Sequence, residues 1–230
     1  MLVGGDFYDY IQGENSDNFL IVVGDAAGHG LPAAMYAQST CRLLKEIITK
    51  QNIDKPNEIL SRLNNIFVLS SSASMQVTIS MYLAYLDATK RKLRLSRAGD
   101  CRAYCITNEC VEEIYKKEIR GNSLGEWPPS ESLYKIGEYD LAAEDLILIC
   151  SDGLIDIVSG NQAEVFNFLR RINISSAKAA IESIKRSVFL TGHGQEEDNF
   201  LTPFIKGNEK ADDITVVCIK VLDKQKENVV

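Results

Sequence analysis

From Met75 onward the chain turns every few residues, with no room for a helix between one apolar run and the next. Val77, Ile79, Met81 and Leu83 alternate with polar or smaller residues, and Asp87-Ala88-Thr89 turns the chain. Residues 90–97 alternate again through Leu93 and Leu95, and Gly99-Asp100 makes the next turn before strand-like stretches at 102–107 and 111–116. Parallel strands need a crossover of about a dozen residues or more, whereas antiparallel neighbours need only a tight turn. The meander therefore predicts antiparallel sheet and excludes a doubly wound parallel one.

Helices are predicted on either side of it. Pro32 opens one that runs to about residue 50, with Leu31, Met35, Leu43, Leu44, Ile47 and Ile48 at roughly helical spacing. Pro56 starts a second, in which Ile59, Leu60, Leu63, Ile66 and Phe67 form one stripe. Two more fall at 161–171 and 175–190. Residues 19–24, 145–150 and 214–222 are apolar enough for buried strands, while 191–210 is a polar excursion longer than a compact fold needs. An amphipathic helix must be covered by a sheet or another helix, so sheets lie inside and helix pairs outside, in one domain.

Twenty-five basic against 32 acidic side chains leave a net charge of −7, which disfavours nucleic acid as a partner. Apolar residues at 45% and charged ones at 25% suit a folded core and disfavour disorder. The longest apolar runs are too short to span a bilayer, and Met1–Asp6 has neither the basic start nor the apolar stretch of a signal peptide. Six cysteines without a C-x-x-C pair read as reduced thiols of a cytoplasmic protein and disfavour a zinc site built from them, and only two histidines exclude His-rich metal chemistry.

Acidic residues recur beside glycine where apolar strands end: Asp6, Asp9, Asp25, Asp100, Asp152, Asp212 and Asp213. Singly, such a residue is a turn or a helix cap. Gathered together, carboxylates repel and resist desolvation unless a cation compensates, and a hard divalent ion does so best. Trp127 and His193 read as a loop anchor and a mobile-loop residue, without chemistry of their own.

The segments Gly4-Gly5-Asp6-Phe7-Tyr8-Asp9 and Val23-Gly24-Asp25-Ala26-Ala27-Gly28-His29-Gly30 resemble the opening of one phosphatase family. It is the bacterial sporulation and stress-response branch of the PPM (type 2C) metal-dependent protein serine/threonine phosphatases. Ala98-Gly99-Asp100, Ser123-Leu124-Gly125, Ser151-Asp152-Gly153 and Ala211-Asp212-Asp213-Ile214-Thr215 continue the likeness in order, over residues 4 to about 221.

The resemblance implies an α+β fold, a four-layer α-β-β-α sandwich of two central antiparallel sheets flanked by helix pairs. It assigns residues 1–222 to the phosphatase domain, lacking its first N-terminal strand, and 223–230 to a charged tail. It further implies two Mn²⁺ or Mg²⁺ ions. Asp25 would bridge them, Asp152 and Asp212 would hold the first, and Asp6 with the Ala26 carbonyl would serve the second. Asp9 competes with Asp6 as direct ligand; Asp213 is second to Asp212; Asp100 takes an outer or third-ion role, or is a turn residue. The reaction implied is in-line attack of a metal-bridging water on phosphoserine or phosphothreonine, with no phosphoenzyme. In the wider family a histidine at the place of His29 donates a proton to the leaving group; here two extra residues separate it from Asp25, and His29 reads also as a helix-start residue near substrate, with a metal-bound water supplying the proton instead. The arginine that eukaryotic members place ahead of their first acidic motif has no counterpart before Asp6.

The branch implies a phosphorylated anti-anti-sigma-type protein as substrate. It also implies an upstream sensor or receiver module, acting through the first helix pair and able to tether the protein to a membrane. Oligomeric state is open, a homodimer included. Two other functions compete: a non-catalytic phosphatase-like interaction module, and a two-metal hydrolase of small phosphoesters.

Overall fold

A computed structural model describes residues 4–48, 53–70, 77–114, 121–126, 134–158, 161–190 and 213–223. The chain divides into two compact units, residues 1–102 with 115–141 and residues 103–114 with 142–230. The elements run β1 (Asp6–Gln12), β2 (Asn18–Ala26), α1 (Gly30–Ile48), α2 (Pro56–Ser70), β3 (Ile79–Asp87), β4 (Lys92–Ala98), β5 (Arg102–Ile106) and β6 (Val111–Glu113). They continue with β7 (Gly137–Asp140), β8 (Leu146–Cys150), α3 (Asp152–Ile157), α4 (Gln162–Leu169), α5 (Ala177–Leu190) and β9 (Val216–Lys220).

In the first unit five strands form an antiparallel sheet in the order β1-β2-β3-β4-β7. Phe7, Leu20, Val22, Met81 and Leu83 line one face and join a core with Ala37, Leu44 and Ile47 of α1 and Ile59, Leu60, Leu63 and Phe67 of α2. Each fully buried Leu or Ile contributes about 1.5–3 kcal/mol, so this face is what holds the two helices down. Pro32 sits in the first turn of α1, where no backbone N–H is required, and Gly30 begins the helix two residues ahead of the expected start. The alternation expected in β3 is present, but Tyr82 and Ala84 on its other face are buried as deeply as Met81 and Leu83. The strand is covered on both sides, not one.

The second unit carries a four-stranded sheet in the order β6-β5-β8-β9, with β5–β6 and β8–β9 antiparallel. Leu146, Leu148 and Cys150 pack with Leu154 of α3, Val165, Phe168 and Leu169 of α4, and Ala180 and Ile184 of α5. Asn161 caps α4, its side chain accepting from the Ala163 N–H. The α+β class with two antiparallel sheets and attendant helices stands as expected.

Two elements are absent from the sequence pattern. β7 has no apolar rhythm; Glu138 instead meets Lys92 at 2.8 Å and Arg94 at 3.3 Å on the neighbouring β4. α3 has six residues, too few to display a helical period. All six cysteines are free; Cys101, Cys105 and Cys150 are buried, and burial pushes the Cys218 thiol up to about 12. Among the described residues no helix is long and apolar enough to cross a membrane. Trp127, His193 and the 191–210 excursion lie outside the described residues.

Candidate functional site

Asp6 and Asp25 stand directly opposite each other on β1 and β2, and Asp25 in turn faces Ser80 on β3. Directly opposed residues of an antiparallel pair share one face, their Cβ atoms about 4.5–5.5 Å apart. Two carboxylates are thus held side by side at the end of a sheet, an arrangement that is unfavourable without positive charge nearby. Both are partly buried.

Gly5 leaves room for the oxygen atoms next to this pair. A Cβ at position 5 would lie 2.3 Å from the Ala26 carbonyl oxygen and 3.0 Å from Asp25 Oδ1. Any larger residue there would displace both; only glycine lets the chain pass this close to them. A carboxylate pair beside a main-chain carbonyl is an all-oxygen donor set, suited to Mg²⁺ or Mn²⁺ and not to soft metals.

Strand alternation separates Asp9 from this row. Three residues beyond Asp6, it falls on the opposite face with Phe7 and Ile11, where Lys45 of α1 binds its Oδ2 at 2.8 Å. The hydrogen bond and charge of Asp9 hold the Lys45 ammonium's pKa above its ordinary value. Sequence analysis left Asp6 and Asp9 as rivals and gave no sign of Lys45.

Asp100 follows the Gly99 turn, and its Oδ1 accepts the Ser80 hydroxyl at 2.6 Å. Its partner is therefore a neighbouring strand. Gly99 has φ +72°, and a Cβ on it would collide with Ser80 Oγ at 2.3 Å. His29 is exposed at the entrance to α1, between Gly28 and Gly30 with φ of +101° and +72°. A Cβ at either glycine would meet nothing, so backbone torsion alone calls for glycine there.

In the second unit, β8 is followed by Ser151, a fully buried residue. Its N–H donates to the Thr215 carbonyl at 3.1 Å, and its hydroxyl accepts from the Thr215 N–H at 3.0 Å. Ser151 stands at the N-cap position of α3 yet makes no side-chain cap bond there, because the hydroxyl is committed to Thr215. This clamp brings the Asp152-Gly153 turn against the chain entering β9. A Cβ on Gly153 would lie 2.0 Å from the Asp213 carbonyl oxygen. Asp152 is partly buried in the first turn of α3, and Asp213 is exposed. Asp212 lies outside the described residues. Among the described residues no group of three or more His, Cys, Asp or Glu side chains could hold a metal ion.

Solved structures share this architecture. The SiaA PP2C domain of Pseudomonas aeruginosa matches with a TM-score of 0.73 and 22% identity, over 94% of this chain and 80% of that one. The PP2C phosphatase domain of Bacillus subtilis SpoIIE, solved with a fragment of its regulatory domain, matches with a TM-score of 0.69 and 16% identity. There the alignment covers 96% of this chain and 58% of the other. RsbX in complex with magnesium matches with a TM-score of 0.60 and 15% identity, over 95% of this chain and 87% of that one. No curated protein matches significantly. The fold is that of the PP2C-type phosphatase domains. The stage II sporulation protein E (SpoIIE) family model matches residues 15–222, and the chain belongs to that family.

Proposed function

We propose that this chain is the catalytic domain of a metal-dependent protein phosphatase that removes phosphate from phosphoserine or phosphothreonine. The observation that carries the proposal is the in-register Asp6–Asp25 pair, with Gly5 packed closely against the Ala26 carbonyl beside it. The magnesium in the RsbX structure supports the same class of ion here. When bound, two Mn²⁺ or Mg²⁺ ions would acidify a water and offset the charge developing on the phosphoryl group. Asp25, Asp6 and the Ala26 carbonyl, with Asp152 and Asp212, are the donors the family likeness assigns to them. Asp6 is the ligand and Asp9 is not, since Asp9 faces α1 and is engaged by Lys45. Asp213, second to Asp212, orients a water or caps the loop.

His29 is exposed four residues beyond Asp25 and belongs to the protonation of the leaving alkoxide. A positioned general acid contributes about 10²–10⁴-fold. The substrate is a small phosphorylated regulatory protein of the anti-anti-sigma type, and an upstream sensor module governs the activity. We assign residues 1–222 to the catalytic domain and 223–230 to a tail.

The direct test is phosphate release from such a phosphoprotein in Mn²⁺, with and without chelator. Turnover of small phosphoesters alone would move the assignment to another hydrolase, and absence of metal uptake would make the chain an interaction module. Asp6→Asn should weaken Mn²⁺ binding at least about tenfold, with Asp9→Asn leaving it unchanged. The reverse order in a calorimetric titration would exchange their roles. His29→Gln should lower kcat about a hundredfold with Mn²⁺ affinity intact; an unaltered kcat would remove the histidine from the chemistry.

A further inference from the structure

The row of opposed residues does not stop at the two carboxylates. Asp6, Asp25 and Ser80 are cross-strand neighbours on β1, β2 and β3, and the Ser80 hydroxyl turns onward to Asp100 Oδ1 at 2.6 Å. Gly99 lies against the same hydroxyl, where a Cβ would come within 2.3 Å of Ser80 Oγ and 2.8 Å of Ser123 Oγ. The serine is thus confined between Asp25 and the Gly99-Asp100 turn. A serine hydroxyl donates a single hydrogen bond, and here it is directed to a carboxylate at the short distance of a charge-assisted bond.

We propose that Ser80 is a positioning residue for the cation site: it fixes the Asp100 carboxylate at the end of the Asp6–Asp25 row. The inference rests on the phosphatase proposal and adds a residue to it. Ser80 satisfies one oxygen of Asp100 and so holds the carboxylate beside the row. Asp100 would then act on a bound cation through the charge of its carboxylate. A hydroxyl matters here because an apolar residue would leave Asp100 held only by its turn.

The experiment is calorimetric titration of Mn²⁺ into the chain and its variants, with melting temperatures taken in chelator. Ser80→Ala should bind Mn²⁺ about tenfold more weakly, Ser80→Thr should restore the affinity, and Ser80→Ala should add nothing in an Asp100→Asn background. Wild-type affinity in Ser80→Ala would overturn the inference. Losses that simply add in the double variant would do the same, as would a lowered melting temperature in chelator with unchanged affinity. The Asp25→Asn chain separates the two levels. If it binds Mn²⁺ as well as wild type, the phosphatase proposal itself fails and this inference with it. If only Asp25→Asn loses the metal, Ser80 alone is wrongly assigned.

Discussion

An Asp25→Asn chain should release phosphate from a phosphoserine protein more than about a hundredfold more slowly than wild type, and should lose the thermal shift that Mn²⁺ gives. Asparagine matches aspartate in size, so the packing of β2 between β1 and β3 is preserved. What changes is charge. Removing one of two opposed carboxylates relieves repulsion with Asp6 and should leave the melting temperature in chelator equal or higher, since like-charged cross-strand pairs cost about 0.2–1 kcal/mol. Loss of activity with an undiminished fold separates a metal ligand from a structural aspartate. Full turnover in this variant, or a retained Mn²⁺ shift, would end the metal account.

Gly153→Ala should behave differently, lowering both stability and Mn²⁺ affinity. Helix propensity alone favours alanine by about 1 kcal/mol, because Gly153 lies within α3. The contact opposes it: the new methyl would sit 2.0 Å from the Asp213 carbonyl oxygen and 3.3 Å from Ile214 Cγ1. A β-carbon has no rotamer by which to escape, so the backbone entering β9 must move. Overpacking of this kind costs about 1–3 kcal/mol, and about 2–4 °C in Tm for each kcal/mol in a chain of this size. A Tm raised by the substitution would mean that the Asp152 turn and the Asp213 segment are not in contact.

Most of the helices and long strands were legible because their apolar residues carry a period. Ile59, Leu60, Leu63 and Phe67 show it on α2, and Ile79, Met81 and Leu83 on β3, and all of them are buried. β7 and α3 were not legible, one because ion pairs with Lys92 and Arg94 replace apolar contacts, the other because six residues are under two turns. At the site, motif glycines and aspartates were visible, while their partners were not. The choice between Asp6 and Asp9 needs the register of β1 on β2, and Lys45 lies far along the chain from the residue it binds. Ser80 could have been found by parity: it occupies the position between Ile79 and Met81, on the face away from α1 and α2. Its hydroxyl acquires meaning only when Asp25 and Asp100 are placed around it.

The pair of hydrogen bonds between Ser151 and Thr215 joins positions 64 residues apart in the chain. With β8 and β9 zipped from Cys150–Val216 to Leu146–Lys220, it closes everything between them into a single ring, fastened at its neck. Doubling the length of a closed loop costs only about 0.6 kcal/mol. An insertion between its two ends would therefore cost the neck that holds the Asp152 turn little in closure entropy.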